Sequence, residues 1–332
     1  MKCKIIFKVA LVLFLLNQIS IVHGYVQKEV TFRNGDVVLA GTLLLPGDEG
    51  KYPAIVCLHG SGDATRPFVR PLAEKFVNLG LATLIFDKRG SGDSTGSWLN
   101  ASLEDLAADD AAAVAFLKEE KEIDSSKIGL WAVSQSGWIA PVVTQIVPDI
   151  AFLIVISGGG ASPRETERFA YNSALTHAGV SESDKAQALS LVDQFFNYLQ
   201  TGKDREALMQ AIEKAKTQEW YRYLNLDRNV PPQEIVSKWS WVATFNPAPS
   251  IEKISCPVLL FFGGKDPFQP AAVAAHAWES SLKKGGNTKY TIKIFPEAGH
   301  AITMGPHNPS NPVYAEGYID TMLNWLKATV MQ

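Results

Sequence analysis

Ser134 stands where an apolar run meets a second, helix-like apolar segment, in the stretch "LWAVSQSGWIA" at residues 130–140. A serine at a sharp strand-to-helix turn projects its hydroxyl above a sheet, and the tight turn requires small residues two before and two after. Those residues are Ala132 and Ser136 here, where glycines are usual. Such a serine could attack a carbonyl carbon as a nucleophile. On this fragment alone, a serine that caps a helix is the alternative interpretation.

A nucleophilic serine needs a histidine that takes its proton and an acid that orients the histidine. Two later apolar runs end in such residues: "PVLLFF" is followed by "GGKD", ending in Asp266, and "YTIKIF" by "PEAGH", ending in His300. The order serine, acid, histidine, each just past a strand, is the chain order of a known catalytic triad. The sequence therefore predicts Ser134, Asp266 and His300 as the catalytic residues.

Acyl transfer also needs donors for the oxygen that becomes negatively charged, which together form an oxyanion hole. One predicted donor is the backbone N–H of Gln135, the residue after the nucleophile. In "CLHGSGDATRP", glycines at 60 and 62 let the backbone N–H of Ser61 point at a substrate oxygen, which makes it the second predicted donor. His59 is then expected to act as scaffold rather than as base.

Three other residues compete for these roles. Ser136 is a poor nucleophile because Trp138, two residues later, would not fit the tight turn. His307 could replace His300 as the base, but it lies in "MGPHNPSNP", a proline-rich stretch typical of a surface loop. Asp87 could be the acid, although its basic neighbours in "FDKRG" favour an ion-paired turn that organises the floor of the site.

Six short apolar runs position these candidates, and most of them close in glycine or charged residues. They are "PAIVCLHG", "LATLIFDKRG", "SKIGLWAV", "IAFLIVISGGG", "CPVLLFFGGKD" and "TKYTIKIFPEAGH". With helix-like stretches between most of them, they predict parallel strands buried on both faces and helices on either side. Before them, "YVQKEVTF" and "VVLAGTLLLP" flank the turn "RNGD" and predict an antiparallel hairpin. The predicted fold class is α/β, with ligands at the carboxyl ends of the strands.

Residues 161–250 interrupt this alternation, because they contain amphipathic stretches and no buried-strand run. The interval is too long for a plain loop, so we predict a helical cap over one end of the sheet, inserted after the sixth strand. The core is then formed by residues 25–160 and 251–332. The many aromatic side chains of the cap are expected mostly to pack it, with a minority lining a substrate pocket.

The first 24 residues have the pattern of a secretory signal peptide. Three lysines precede an apolar stretch, and Val22 and Gly24 occupy the minus three and minus one positions of a cleavage point. The sequence therefore predicts a signal peptide at residues 1–24 and an exported protein, periplasmic or secreted. A retained anchor is the alternative, but the apolar run from Val9 to Leu16 is shorter than the about 20 residues that a membrane span needs. No membrane span is expected after signal removal.

Composition and spacing argue against several function classes. With 31 Lys and Arg against 34 Asp and Glu, the formal net charge of −3 gives no reason to expect a nucleic acid partner. No cluster of histidines, cysteines and carboxylates has metal-ligand spacing, and "GSGDSTG" lacks the lysine of a phosphate-binding loop, so we predict no metal and no cofactor. Cys57 and Cys256 are expected to remain unpaired as small apolar side chains.

The ordered set "HGSG", "DKRGSGDSTG", "LWAVSQSGW", "GGKDP" and "EAGH" resembles the α/β-hydrolase superfamily, and within it bacterial esterase-like and prolyl-oligopeptidase-related serine hydrolases. The resemblance covers residues 26–330 apart from the insertion. It implies an eight-stranded, mostly parallel sheet, with Ser134 as nucleophile, His300 as general base and Asp266 as its orienting acid. The family has glycine two residues before and two residues after the nucleophile. Alanine and serine, which are the smallest residues after glycine, stand at these positions here and put the geometry of that turn in question.

These features predict a serine hydrolase that cleaves a small-molecule carboxylic ester through an acyl-enzyme on Ser134. A peptidase of the aminopeptidase type is one alternative, because related enzymes share the same turn, and a thioesterase or acyltransferase of the same fold is another. A non-enzymatic ligand-binding protein on a hydrolase fold is the third alternative. It is disfavoured because all three candidate catalytic residues are present.

Overall fold

The computed structural model describes residues 19–22, 24–305 and 312–331. Most of the predicted signal peptide lies outside these residues, and so does His307, the alternative base. Of the helices in the described ranges, none is long and apolar enough to cross a membrane.

A single sheet of nine strands runs through the described residues. Its strands in chain order are β1 (Ile19–Val22), β2 (Tyr25–Asn34), β3 (Val37–Leu45), β4 (Tyr52–Cys57), β5 (Ala82–Phe86), β6 (Ile123–Val133), β7 (Leu153–Ile156), β8 (Val258–Gly263) and β9 (Tyr290–Phe295). In space the order is β1-β2-β3-β5-β4-β6-β7-β8-β9, antiparallel from β1 to β5 and parallel from β5 to β9. The predicted eight-stranded, mostly parallel sheet is confirmed as β2 to β9, and β1 adds an edge strand from the end of the predicted leader.

Helices cover both faces of the sheet and fill the connection between β7 and β8. In chain order they are α1 (Arg66–Leu79), α2 (Leu103–Glu119), α3 (Ser136–Ile146), α4 (Pro163–His177), α5 (Glu182–Thr201), α6 (Arg205–Ala215), α7 (Val236–Trp239), α8 (Trp241–Thr244), α9 (Ala248–Ile251), α10 (Ala271–Lys284) and α11 (Tyr318–Val330). Helices α2, α3 and α10 pack on one face of the sheet, and α1 and α11 pack on the other. Strand residues alternate between the two cores, as the two-residue period of a strand requires.

Local signals fix where several helices begin and end. The Ser102 side chain accepts a hydrogen bond from the N–H of Asp105, whose carboxylate accepts one from the N–H of Ser102, which starts α2. The same reciprocal pair, Ser162 with Glu165, starts α4. Gly80 ends α1 in a left-handed conformation with φ of 106°, which a residue without a Cβ adopts at little cost.

The central strand β4 is where the direction of the chain across the sheet reverses. The connection through α1 places β5 on one side of β4, and the connection through α2 places β6 on the other. The turns that follow β4 and β6 therefore lie side by side at the carboxyl edge of the sheet. Open α/β sheets bind their ligands at such a point.

The predicted helical insertion lies between β7 and β8, after the sixth of the eight expected strands. Its helices α4 to α6 share their own apolar core, in which Phe196 and Val192 are fully buried. Trp241 departs from this pattern because it packs into the core between the sheet and α2, α3 and α10. The centroid of its ring lies 6.3 Å from that of Trp138. The cap is thus a second packing unit that is tied to the first by an aromatic pair.

Two cysteines of the described chain, Cys57 and Cys256, are both free and buried, as expected. Cys57 belongs to the core beneath α1 and α11, whereas Cys256 belongs to the core on the opposite face of the sheet. Burial raises the pKa of both thiols, that of Cys256 to about 12. Both are therefore neutral apolar side chains at physiological pH.

Candidate active site

Ser134 occupies a left-handed backbone conformation between β6 and α3, with φ of 54°. That conformation is costly for a residue other than glycine and persists only where the surrounding structure enforces it. Here the N–H of Ser134 donates to the carbonyl of Ile156 in the neighbouring β7, and its carbonyl accepts from the N–H of Gly137, both at 2.9 Å. The Ser134 turn, residues 133–137, therefore has the sharp strand-to-helix geometry that the sequence predicts.

The hydroxyl of Ser136 closes this turn from within. It accepts a hydrogen bond from the N–H of Val133 at 2.7 Å and donates one to the carbonyl of Val133 at 2.9 Å. Ser136 has no exposed surface and Val133 is half-buried, so both bonds are largely shielded from water. The serine that replaces a family glycine is thus a structural part of the turn, and it is not available as a nucleophile.

Close approach between two glycine-containing segments brings the end of β7 against the Ser134 turn. A Cβ on Gly158 would lie 2.2 Å from the carbonyl oxygen of Ser134, and a Cβ on Gly137 would lie 2.3 Å from the carbonyl carbon of Gly158. Both distances are shorter than side-chain atoms tolerate. Glycine is required at these two positions because the turn packs backbone against backbone.

Asp266 and His300 form a hydrogen-bonded pair at the ends of β8 and β9, with Asp266 Oδ2 2.7 Å from His300 Nδ1. The other carboxylate oxygen, Oδ1, accepts from the N–H groups of Phe268 and Gln269 at 2.8 and 3.0 Å. The Asp266 side chain is 1% exposed and that of His300 25% exposed. Three hydrogen bonds thus fix the orientation of the buried Asp266 carboxylate. It faces one nitrogen of the His300 ring, which is partly exposed to solvent.

The turns after β8 and β9 are held in contact by their backbones. The N–H of Lys265 donates to the carbonyl of Ala298 at 2.9 Å. A Cβ on Gly263 would lie 2.1 Å from the carbonyl oxygen of Gly299, so that position also requires glycine. This contact sets the separation of the acid and the histidine.

The two predicted oxyanion donors belong to segments that meet beside the serine. Gly60 lies against Ser134, because a Cβ built on it would be 3.8 Å from the Cβ of that serine. Within residues 19–22, 24–305 and 312–331, the backbone N–H groups of Ser61 and Gln135 donate to no protein acceptor. Among the same residues, Ser134 and His300 make no hydrogen bond to each other.

His59 acts as scaffold, as expected, because its Nε2 donates to the carbonyl of Phe86 at 2.7 Å. Burial lowers the pKa of His59 to about 4, with the hydrogen bond to Phe86 opposing the shift and the nearby charge of Lys88 adding to it, so that the ring is neutral at pH 7. A neutral ring that donates through Nε2 carries no proton on Nδ1. His59 ties the turn after β4 to the end of β5.

Asp87, the alternative acid, lies in a turn that hydrogen bonds hold in place. Its ionic partner differs from the predicted one. Its carboxylate accepts from the N–H groups of Arg66 and Asp93 at 2.8 and 3.0 Å, and it pairs with the guanidinium of Arg66 at 3.3 Å. Arg89 pairs instead with Asp109 on α2, with Nη2 2.7 Å from Oδ1. Neither basic neighbour of Asp87 is its ionic partner, because the side chains of Lys88 and Arg89 bind other segments.

Residues of the cap approach His300, which spacing alone does not reveal. Glu167 on α4 has an exposed surface, although many protein atoms surround its carboxyl group. The partial loss of water around the carboxyl raises its pKa, and the charge of His300 opposes this rise. One helical turn further, Tyr171 accepts a 3.4 Å hydrogen bond from Asn229, and burial raises the pKa of the phenol to about 12. The electrostatic interaction of Glu167 with His300 is the observed link between this part of the cap and the candidate site.

The cap is fastened to the core on the side of β5. The indole N–H of Trp239 donates to the carbonyl of Leu99 at 2.8 Å, and its ring lies edge-on to Trp98 with centroids 6.2 Å apart. Next to it, Lys238 pairs with Asp105 at the start of α2 at 2.7 Å. These contacts hold the cap over the carboxyl edge of the sheet.

A mostly parallel sheet with a serine turn after β6, and an acid and a histidine after β8 and β9, defines an α/β hydrolase. The sequence profile of one hydrolase family, described as serine aminopeptidase, S33, matches residues 51–307. The chain belongs to this family.

Known proteins of similar sequence and structure include an uncharacterised protein and two esterases. An uncharacterised 31.7 kDa protein of Escherichia coli is 27% identical over 70% of this chain and 79% of its own length. Esterase EstD of Thermotoga maritima is 23% identical over 90% of this chain and 65% of its own length. The esterase Pf2001 of Pyrococcus furiosus superposes with a TM-score of 0.61 over 92% of each chain, at 18% identity.

Proposed function

We propose that this protein is a serine hydrolase that cleaves carboxylic esters of small molecules through an acyl-enzyme on Ser134. The observation that carries the proposal is the strained backbone of Ser134 at the same edge of the sheet as the Asp266–His300 pair. The esterases among the similar proteins support an ester substrate.

In this mechanism Ser134 Oγ attacks the ester carbonyl carbon while His300 Nε2 takes the hydroxyl proton. Asp266 remains ionised and holds the Nδ1–H of the ring, which stabilises the imidazolium that forms. The carbonyl oxygen becomes negative and is bound by the N–H groups of Ser61 and Gln135.

Collapse of the tetrahedral intermediate then breaks the bond to the alcohol oxygen, to which His300 returns the proton. The second half of the reaction repeats these steps with water. Water gives a proton to His300 and attacks the acyl carbon, and the acid product leaves as Ser134 recovers its proton.

The decisive experiment compares Ser134→Ala with Ser280→Ala, which removes an exposed hydroxyl on α10. Turnover of p-nitrophenyl acetate should fall on the order of 10⁴-fold or more in the first variant and stay unchanged in the second. A fluorophosphonate probe should label the wild-type protein at Ser134. Unchanged turnover in Ser134→Ala rejects the proposal, and a folded protein that resists the probe supports the ligand-binding alternative.

An aminopeptidase activity is the second candidate, favoured by the family description and by the carboxylate of Glu167 near His300. A carboxylate in that position could bind the free ammonium group of a peptide substrate. Aminoacyl p-nitroanilides test this activity beside esters and thioesters of the same acyl group. If peptides are the substrates, anilide turnover exceeds ester turnover and is lost in Glu167→Gln. If esters are the substrates, Glu167→Gln leaves ester turnover within a few-fold of wild type.

Export through a cleaved leader is also part of the proposal. Cleavage after Gly24 would remove β1, which pairs only with β2 at the edge of the sheet, and would leave the catalytic strands in place. The amino-terminal sequence of the protein recovered from the periplasm or medium of its source organism should begin at Tyr25. A product that starts at Met1 contradicts this part.

A further inference from the structure

Lys88 is a buried cation whose hydrogen bonds go to two segments of the oxyanion hole. Its side chain follows β5, and the residue is 4% exposed. The ammonium donates to the carbonyl oxygen of Gly60 at 2.9 Å and to the side-chain oxygen of Gln135 at 2.8 Å. Gly60 directly precedes Ser61, the first predicted donor. Gln135 is the second predicted donor, and it binds Lys88 through its side chain.

The bond to Gly60 acts on the same peptide group that carries the N–H of Ser61. A peptide group is planar and trans, so its C=O and N–H point in opposite directions. When Lys88 fixes the direction of the Gly60 carbonyl, it also fixes the N–H of Ser61 on the side away from the ammonium. The positive charge polarises this amide and makes its N–H a stronger donor.

The bond to Gln135 anchors the residue that follows the nucleophile. Gln135 is 8% exposed, and its side chain lies between the Ser134 turn and Lys88. A single ammonium therefore connects the turn after β4 with the turn after β6. These turns follow two neighbouring parallel strands, β4 and β6, and Lys88 links them beyond the last paired residues of the sheet.

The surroundings of Lys88 do not explain its charge as part of an ion pair. Among the described residues, no carboxylate lies within 4.0 Å of its ammonium. The adjacent cavity is about 10 Å³ in volume, enough for about one water molecule and too small for a second ligand. The ammonium lies 5.6 Å from the centroid of the Trp98 ring, and the charges of Asp110, Asp63 and Asp109 act on it without direct contact. Its two direct hydrogen bonds therefore go to the turns of the site and not to a carboxylate.

We propose, as an extension of the proposed function, that Lys88 is a positioning residue of the oxyanion hole. Its ammonium orients the Gly60–Ser61 amide and Gln135 toward the oxygen that becomes negative during ester cleavage. Because this interaction matters only when that charge develops, it acts on kcat more than on KM.

The proposal includes a dependence on pH. Burial lowers the pKa of Lys88 to about 8. The charges of Asp110, Asp63 and Asp109 raise this pKa, but their effect is smaller than that of burial. His59 and Arg89 are the other titratable groups that share the small cavity with Lys88. The amine is therefore charged at pH 7 and loses its charge as the pH rises through about 8, and kcat should decline over that range.

The test compares Lys88→Met with Lys283→Met, which removes an exposed lysine of α10. For p-nitrophenyl acetate, Lys88→Met should lower kcat about 10²-fold, as expected for loss of one oxyanion donor, and change KM less than about threefold. The decline of kcat above pH 8 should disappear in the same variant. Lys283→Met should match the wild type in kcat, KM and pH profile.

The inference is overturned if folded Lys88→Met keeps a kcat within twofold of wild type or retains the alkaline decline. If circular dichroism shows that Lys88→Met does not fold, Gln135→Leu replaces it, since this variant removes one acceptor of Lys88 and leaves Gly60. A loss in kcat of about tenfold supports the inference, and wild-type kcat overturns it. Turnover that survives Ser134→Ala rejects the proposed function itself, so the two failures are distinguishable.

Discussion

The hydroxyl of Ser136 is bonded to both the N–H and the carbonyl of Val133, at 2.7 and 2.9 Å. These bonds close the Ser134 turn across three residues, and they answer the question raised by the missing glycine. The backbone of Ser134 has the left-handed conformation of a sharp strand-to-helix turn. A serine at this position replaces the flexibility of glycine with two buried hydrogen bonds.

Ser136→Ala should destabilise the protein by about 1–3 kcal/mol, because the buried N–H of Val133 loses its acceptor. Urea denaturation monitored by tryptophan fluorescence measures the free energy of unfolding. Ser280→Ala, on the exposed side of α10, should stay within about 0.5 kcal/mol of wild type. Equal stability of the two variants would show that the Ser136 bonds contribute nothing.

Asp266→Asn separates catalysis from the structure of its turn. The amide oxygen of asparagine can still accept from the N–H groups of Phe268 and Gln269, so the melting temperature should change little. Its NH₂ faces His300 Nδ1 and favours the wrong tautomer, and kcat should fall about 10⁴-fold. Asp266→Ala should lose both activity and stability. An active Asp266→Asn enzyme would remove Asp266 from the mechanism.

Gly158→Ala should displace the Ser134 turn, since the added Cβ would lie 2.2 Å from a backbone oxygen that cannot move alone. We expect a destabilisation of about 1–3 kcal/mol and a loss of ester turnover of at least about tenfold. Gly179→Ala is the control, because no atom lies within 4 Å of its added Cβ although its φ is 71°. It should cost only backbone strain and leave turnover intact. Full activity in Gly158→Ala would contradict the packing argument.

His59 makes stability depend on acid pH. Its pKa is about 4 in the folded protein and near 6.5 in the unfolded chain, so the unfolded state binds the extra proton between these values. Stability is complete above pH 6.5 and falls as the pH drops toward 4. In His59→Gln, the free energy of unfolding should depend less steeply on pH in this window, by up to about 1.4 kcal/mol per pH unit. Identical slopes in urea titrations would disprove the assignment.

The residues that end strands could be predicted from the sequence because buried parallel strands are short apolar runs with abrupt ends. Asp266 and His300 follow β8 and β9, as predicted, and the structure places them 2.7 Å apart. The helical insertion was predictable for the same reason, since no such run occurs in it. Strand ends, helix starts and their order along the chain are local properties of the sequence.

Other features of the site depend on contacts between distant segments. Spacing shows a lysine beside an aspartate, but the ammonium of Lys88 reaches Gln135, 47 residues later, and not its neighbour Asp87. The approach of Glu167 to His300 depends on how the cap packs on the core, which helical periodicity does not determine. The pairing of Ile19–Val22 with β2 was also missed, because those residues match a signal peptide.

The two buried thiols occupy opposite faces of the sheet and take no part in a covalent cross-link. Folding of the described residues therefore involves no disulfide, and these residues should reach the same native state under reducing and oxidising conditions. Each thiol also reports on one half of the molecule. The rate at which a maleimide modifies Cys57 will measure how fast the layer under α1 and α11 opens. The rate of modification of Cys256 will measure the same for the opposite layer.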